Sequence, residues 1–318
     1  MRAIDIHVHL TPQCFQREVL NGRTFHGLDA TYGELDNPRH AWTPEQRLLD
    51  MDSMGIDVQV LSPGVSFYKY DADVSTTSAI AQDCNNEIGQ MIKDFSGRFS
   101  GLANLPMQDV SAAIDELDRC MNKLNFKGAQ INDHVNGKTL DDPVFLPFWK
   151  AVEQLGAMIL FHQSGSTVVS ARTKKYHLPN TIGNLTDRTI TFATLVFGGV
   201  MDRFPNLRIC LSHGGGYTCF GIGRIDRGWE VKREACANIS RPPSAYLRAF
   251  YYDCITFSGP ALRMLIDTVG IDRVVLGTDY PAPMRIDWPP SWILAQKGLT
   301  LEEKEAILYK NLEKLLGL

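Results

Sequence analysis

The 318-residue chain is 44% hydrophobic and 21% charged, a balance that supports a sizeable packed core and excludes a disordered polymer. A net charge of -4 with no dense Lys/Arg block excludes nucleic acid and anionic membrane as partners, leaving a small molecule as the expected one. No run approaches the roughly 18 apolar residues of a membrane span and no signal peptide opens the sequence; seven scattered cysteines without a C-x-x-C pair read as reduced thiols of a cytoplasmic protein.

In chain order, the first strand is expected at 3–9 (AIDIHVH). Residues 11–43 follow as a polar stretch with scattered Gly, Pro and aromatic residues, too long for a simple connection, and read as an active-site insertion. Helix 44–54 then leads to strand 57–63, helix 77–96 to strand 99–105, helix 109–123 to strand 128–133, and helix 142–155 to strand 157–163. Helix 187–203 precedes strand 207–213, helix 217–233 precedes strand 250–255, and helix 259–269 precedes strand 273–279. A last helix near 301–315 opens with Thr300 and Glu303 in capping-box spacing. Short apolar β-branched runs alternating with amphipathic segments mark parallel βα units, and eight strands close a barrel. The expected fold is therefore an α/β (β/α)₈ TIM barrel, with residues 1–318 forming one domain and no linker dividing it.

Side chains two apart on a strand share a face, so His7 and His9 at the end of strand one both aim at the barrel mouth. H-x-H alone is weak, because such pairs also occur as ordinary polar residues. Three more strands, however, stop on the same chemistry: His162 after MILF, His213 after RICLS and Asp279 after VVLGT. Barrel active sites are assembled at these strand ends, which favours a functional reading of the set. His7, His9, His162 and Asp279 make the mixed N/O set of a catalytic divalent metal. His213, followed by three glycines, is left as the general acid/base or as a fifth ligand. Arg47 at a helix start and Arg224 after His213 could each clamp a substrate carboxylate through paired N–H groups.

Nine segments spread over nearly the whole chain carry a family resemblance. They are HVH at 7–9, RLLDMDSMGIDVQVLS at 47–62, LPMQD at 105–109, LDDPVFLPFW at 140–149, ILFHQ at 159–163, RFPNLRICLSHGGG at 203–216, GRIDRGW at 223–229, RPPSAYLRAFYYD at 241–253 and VVLGTDYPAP at 274–283. Together they resemble the amidohydrolase-related metal-dependent barrels, a family that includes aminocarboxymuconate semialdehyde decarboxylases. The resemblance implies Zn²⁺, with Mn²⁺ the alternative, on His7, His9, His162 and Asp279, and His213 poised to activate water at the metal. It also implies that Arg47 and Arg224 bind substrate carboxylate, with Arg224 supplied across a homodimer interface. Binuclear members of such barrels carry a lysine on strand four, whereas GAQIND has Gln130, Asn132 and Asp133, which favours one metal.

The pattern departs from the decarboxylases in three places. Residues 24–46 hold no lysine, His162 is followed by Gln163-Ser164 where the family has a tryptophan, and Ala282 replaces a bulky aromatic. The pocket is therefore expected to differ in shape. The expected activity is nonoxidative decarboxylation of an aromatic or muconate-like carboxylic acid by a carbon-carbon lyase. The same parts would also serve a hydrolase of a lactone or amide, or a hydratase of an unsaturated dicarboxylate. A noncatalytic binding barrel is the third reading, disfavoured by the intact metal and acid/base set.

Overall fold

Eight parallel strands in the order of their sequence form the sheet of a computed structural model that describes residues 1–318. They are β1 (Ile4–Leu10), β2 (Val58–Pro63), β3 (Phe99–Ala103), β4 (Gly128–Ile131), β5 (Met158–Phe161), β6 (Arg208–Leu211), β7 (Phe250–Asp253) and β8 (Val274–Val275). The ring is joined between its ends: Ile6 N–H donates to Leu276 O (3.1 Å), Asp279 N–H to His7 O (2.9 Å) and His9 N–H to Tyr280 O (2.6 Å). Each expected strand is present; β3 to β8 are shorter than expected at their C-terminal ends, where the chain leaves the ladder to present polar side chains, while β1 and β2 run to Leu10 and Pro63.

The crossovers are α1 (Gln13–Leu20), α2 (Pro44–Met54), α3 (Val74–Asp94), α4 (Val110–Lys123), α5 (Leu146–Leu155), α6 (Leu185–Phe197), α7 (Thr218–Val231) and α8 (Gly259–Val269). The helix expected at 187–203 is two pieces, because Gly199 takes a left-handed φ of 75° between Phe197 and a short turn at Val200–Arg203. The C-terminal helix begins at the expected capping box, with Thr300 Oγ1 accepting from Glu303 N–H at 3.2 Å and Glu303 Oε2 accepting from Thr300 N–H at 2.8 Å. A wider turn over Ala306–Lys310 interrupts it.

Alternation along the strands separates two apolar clusters. Met158 and Leu160 of β5 and Cys210 of β6 belong to a cluster of 12 buried residues, while Ile159, Phe161, Ile209 and Leu211 belong to the main core of 58. Two-residue periodicity carries the face of Met158 and Leu160 on to His162. The metal-ligating side chains thus continue the smaller cluster upward to the mouth of the barrel.

The insertion after β1 is ordered around its own apolar cluster of Phe15, Val19, Phe25, Leu28, Phe67, Ile80 and Cys84. That packing holds it over one side of the mouth. No helix is long and apolar enough to cross a membrane.

Candidate metal centre

The ligand atoms of His7, His9, His162 and Asp279 all lie within 4.8 Å of one another, and all four residues are buried. Asp279 Oδ1 stands 3.1 Å from His9 Nε2, 3.4 Å from His7 Nε2 and 3.8 Å from His162 Nε2. His7 donates from Nδ1 to Asp253 Oδ2 at 2.7 Å, and His162 donates from Nδ1 to the carbonyl of Gln163 at 3.0 Å. In the neutral rings Nε2 is therefore a bare lone pair, and both Nε2 atoms are buried without a hydrogen-bond partner. Buried unpartnered acceptors converging on a carboxylate are costly for protein alone and are what a divalent cation satisfies. The donor set fits such an ion.

The electrostatics agree. Burial opposes charge on Asp279, yet the surrounding histidines outweigh it and hold the carboxyl well below the usual range. Burial together with the neighbouring imidazoles drives His162 well below its ordinary value, despite the opposing pull of Asp279. Burial also disfavours a charged His7, but its hydrogen bond to Asp253 and the nearby Asp279 carboxylate prevail and raise it to about 9. A metal must then displace a proton from His7.

His213 sits at the edge of this group, its Nε2 3.8 Å from Asp279 Oδ2 and its ring 5.1 Å from those of His7 and His162. Its backbone is left-handed (φ 55°), as is that of Asp279 (φ 66°), an uncommon state for residues with side chains. At the glycines that follow, a Cβ on Gly215 would fall 2.5 Å from the Tyr252 ring and one on Gly216 2.1 Å from Leu185 O. The run of glycines thus lets the chain turn tightly past α6 and β7 while offering His213 to the mouth.

Asp253 and Asp5 escaped the sequence reading. Asp253 ends β7, as Asp279 follows β8, and a carboxylate closing an apolar strand was the available signal. It is fully buried and accepts from His7 as well as from the backbone N–H of His213 (2.9 Å) and Gly214 (2.8 Å). Asp5 lies opposite Gln59 on the outward face of β1, before the register shift that turns His7 and His9 toward the mouth, and accepts from Thr278 Oγ1 at 2.5 Å. Burial is the main reason its carboxyl rises to about 7. At the strand-four position Gln130 accepts from Ser62 at 2.7 Å and donates to Pro63 O, a neutral group already engaged.

Two cavities meet at Asp279. One, of about 370 Å³, is lined by His213 and by apolar groups including Tyr217, Phe220, Ile255, Phe257, Met264 and Leu265. The other, of about 340 Å³, is polar and lined by His9, His162, Gln163 and residues of the insertion, among them Thr11, Glu34 and His40. Volumes of this size suit a small ligand.

Neither expected arginine lines either cavity. Arg47 is buried behind the site: Nε donates to Gln59 Oε1 at 2.7 Å, Nη1 to the carbonyl of His9 at 3.0 Å, and the guanidinium lies 4.6 Å from the centre of the Tyr280 ring. It falls on the buried stripe of α2 with Met51 and Met54, at i, i+4 and i+7. Arg224 is exposed on α7.

A (β/α)₈ barrel whose strand ends gather three imidazoles and a carboxylate, beside a free imidazole and an open cavity, is a metal-dependent enzyme. The amidohydrolase family model matches residues 4–318, and the chain belongs to that family. It is 32% identical to 2-amino-3-carboxymuconate-6-semialdehyde decarboxylase of Dictyostelium discoideum, over 99% of this chain and 91% of that one. The crystal structure of 2,6-dihydroxybenzoate decarboxylase from Rhizobium superposes with a TM-score of 0.84 at 25% identity, covering 100% of this chain and 99% of the other. That of a dihydroxybenzoic acid decarboxylase from Polaromonas, holding manganese and the inhibitor 2-nitroresorcinol, gives 0.85 at 23% identity over 99% and 97%.

Proposed function

We propose that this enzyme is a nonoxidative carboxy-lyase that releases CO₂ from an aromatic or muconate-like carboxylic acid. The observation that carries the reading is the position of His213, a histidine outside the ligand set that lines the apolar cavity and stands 3.8 Å from Asp279 Oδ2, the carboxylate oxygen next to the one the other histidines surround. The relatives named above are decarboxylases, which supports it.

The chain's own groups have separable tasks. The apolar walls of the first cavity receive the flat, unsaturated part of the substrate and exclude water from it. Lewis acidity toward substrate oxygen is what a divalent ion supplies when bound by His7, His9, His162 and Asp279. Three imidazoles with one carboxylate suit Zn²⁺ or Mn²⁺ alike, and the Polaromonas relative holds manganese. His213 delivers a proton to the carbon that bears the carboxylate; a C–H bond forms, the C–C bond breaks, its electron pair restores the unsaturated system, and CO₂ leaves. Asp253 holds the backbone of His213 in place for that transfer.

The carboxylate needs a cation that the two cavities do not offer from within one chain. We assign this to Arg224 of a second copy in a homodimer. Arg224 is exposed on the same helix as Phe220, a cavity-lining residue that is itself 82% exposed. Arg47 then acts from behind, fixing the carbonyl of His9. The seven cysteines are unpaired, in keeping with a cytoplasmic setting.

The test is mass balance. Metal-reconstituted enzyme given 2,6-dihydroxybenzoate and other aromatic acids should release one CO₂ per substrate consumed. A product heavier by one water, with no CO₂, would make the protein a hydratase or hydrolase instead.

A further inference from the structure

The polar cavity has a wall that the mechanism above does not use. It comes from the insertion after β1, and its inner face is made by Glu34 and His40. His40 is only 8% exposed, and its Nε2 is buried without a hydrogen-bond partner. Its protonation can be read from its neighbour. The Thr11 hydroxyl donates its one proton to Gly33 O at 3.1 Å, so the 2.9 Å contact between Thr11 Oγ1 and His40 Nδ1 requires His40 to donate. Nδ1 therefore carries the hydrogen, and Nε2 is a bare acceptor.

The group nearest that acceptor cannot satisfy it. Glu34 Oε2 lies 3.5 Å from His40 Nε2, and a carboxylate has only lone pairs to offer. A protonated His40 would pair with Glu34, but burial, aided by the charges of His9 and Arg47, pushes His40 down to about 4. Two acceptors side by side, one of them buried and unpartnered, call for a donor from a ligand. The charge of this wall is equally selective. No Lys or Arg lines the cavity, and the Glu34 carboxylate repels any second carboxylate placed there.

We propose that Glu34 and His40 form a specificity wall that accepts hydrogen bonds from a hydroxyl or amino substituent of the substrate, so that the enzyme selects phenolic or amino-substituted acids over dicarboxylates. The proposal rests on the carboxy-lyase reading in one respect: it takes the two cavities as parts of one substrate site. The apolar part receives the ring, and the insertion reads its substituents.

Binding measures this independently of turnover. The probes are 2-nitroresorcinol and 2-nitrobenzene-1,3-dicarboxylate, which differ only in carrying hydroxyls or carboxylates at the same two ring positions. Titrated calorimetrically into manganese-loaded enzyme, the diphenol should bind at least about tenfold more tightly than the diacid. Glu34→Gln should shrink that ratio to about threefold or less, by weakening the diphenol and relieving the diacid. His40→Phe should weaken the diphenol alone. Glu34 is exposed to cavity solvent and its substitution should leave folding and metal content unchanged, so a failure of the His40 variant to fold does not shelter the idea. Preference for the diacid in the unaltered enzyme, or an unchanged ratio in Glu34→Gln, overturns it. Loss of the carboxy-lyase reading would show differently, as absence of CO₂ release with the binding ratio intact.

Discussion

Asp253 Oδ2 accepts from His7 Nδ1 at 2.7 Å and, through the same oxygen, from the backbone N–H of His213 at 2.9 Å. One buried carboxylate thus fixes the orientation of a metal ligand and the backbone of the proposed proton donor. Asp253→Asn keeps the volume but loses an acceptor atom. It should lower metal affinity about 10–100-fold, as loss of the group orienting a ligating histidine does. Competition with a chelator at fixed pH measures it, and undiminished affinity would show that His7 is held by its strand alone.

Gly277, just beyond β8, is where the chain passes that pair. A Cβ there would lie 2.8 Å from both His7 Cβ and Asp253 Cβ, closer than such atoms approach. Gly277→Ala should therefore displace His7 from Asp253, cost about 1–3 kcal/mol of stability through overpacking, and reduce metal content together with it. Thermal unfolding with parallel metal analysis checks this; destabilisation with full metal binding would place the strain elsewhere.

His213→Asn is the substitution best suited to the left-handed backbone at this position, because Asn tolerates φ near 55° better than Ala. The variant should keep its metal and lose about 10²–10⁴ in kcat, the share of a general acid/base. Loss of the metal instead would make His213 a fifth ligand.

The legible parts of this molecule are those written by a local rule. Short apolar, β-branched runs announce the strands, and His162, His213 and Asp279 are visible because each follows such a run where the chain leaves the sheet. Asp253 carries the same mark and was passed over, since a carboxylate inside FYYDC can equally close a surface strand. Glu34 and His40 lie in a segment with no period of its own, and only the packing of Phe15, Phe25 and Phe67 brings them to the mouth. Arg47 shows the opposite case. A guanidinium near a helix start suggests an exposed clamp, but its spacing with Met51 and Met54 turns it inward onto Gln59.

His40 makes stability depend on pH with a definite sign. Its folded value of about 4 lies below the ordinary 6.5, so between these limits the unfolded chain binds a proton that the folded one refuses. The stability contributed by neutral, buried His40 is complete above pH 6.5 and is lost as pH falls toward 4, by at most about 3 kcal/mol. Asp5 works in the opposite sense, its carboxyl raised from 3.8 to about 7, so stability it contributes is full below 3.8 and lost as pH rises through 7. Denaturant unfolding of the wild type against His40→Asn cancels Asp5 and isolates His40. The wild type should lose stability relative to the variant from pH 6.5 to 4; parallel curves would mean that His40 is already solvated.

If Arg224 serves the neighbouring copy, two inactive proteins should repair each other. In Arg224→Ala every site lacks the guanidinium, and in His213→Asn every site lacks the acid/base. A mixed dimer holds one site with both groups intact, built from the His213 of the Arg224→Ala chain and the Arg224 of its partner. Random exchange gives half mixed dimers, each with one of two sites complete, so about a quarter of wild-type activity should return. An arginine acting within its own chain leaves no complete site in any combination, and mixing would then restore nothing. The exposed position of Arg224 on α7, beside the exposed Phe220 and away from both cavities of its own chain, is the reason to expect recovery.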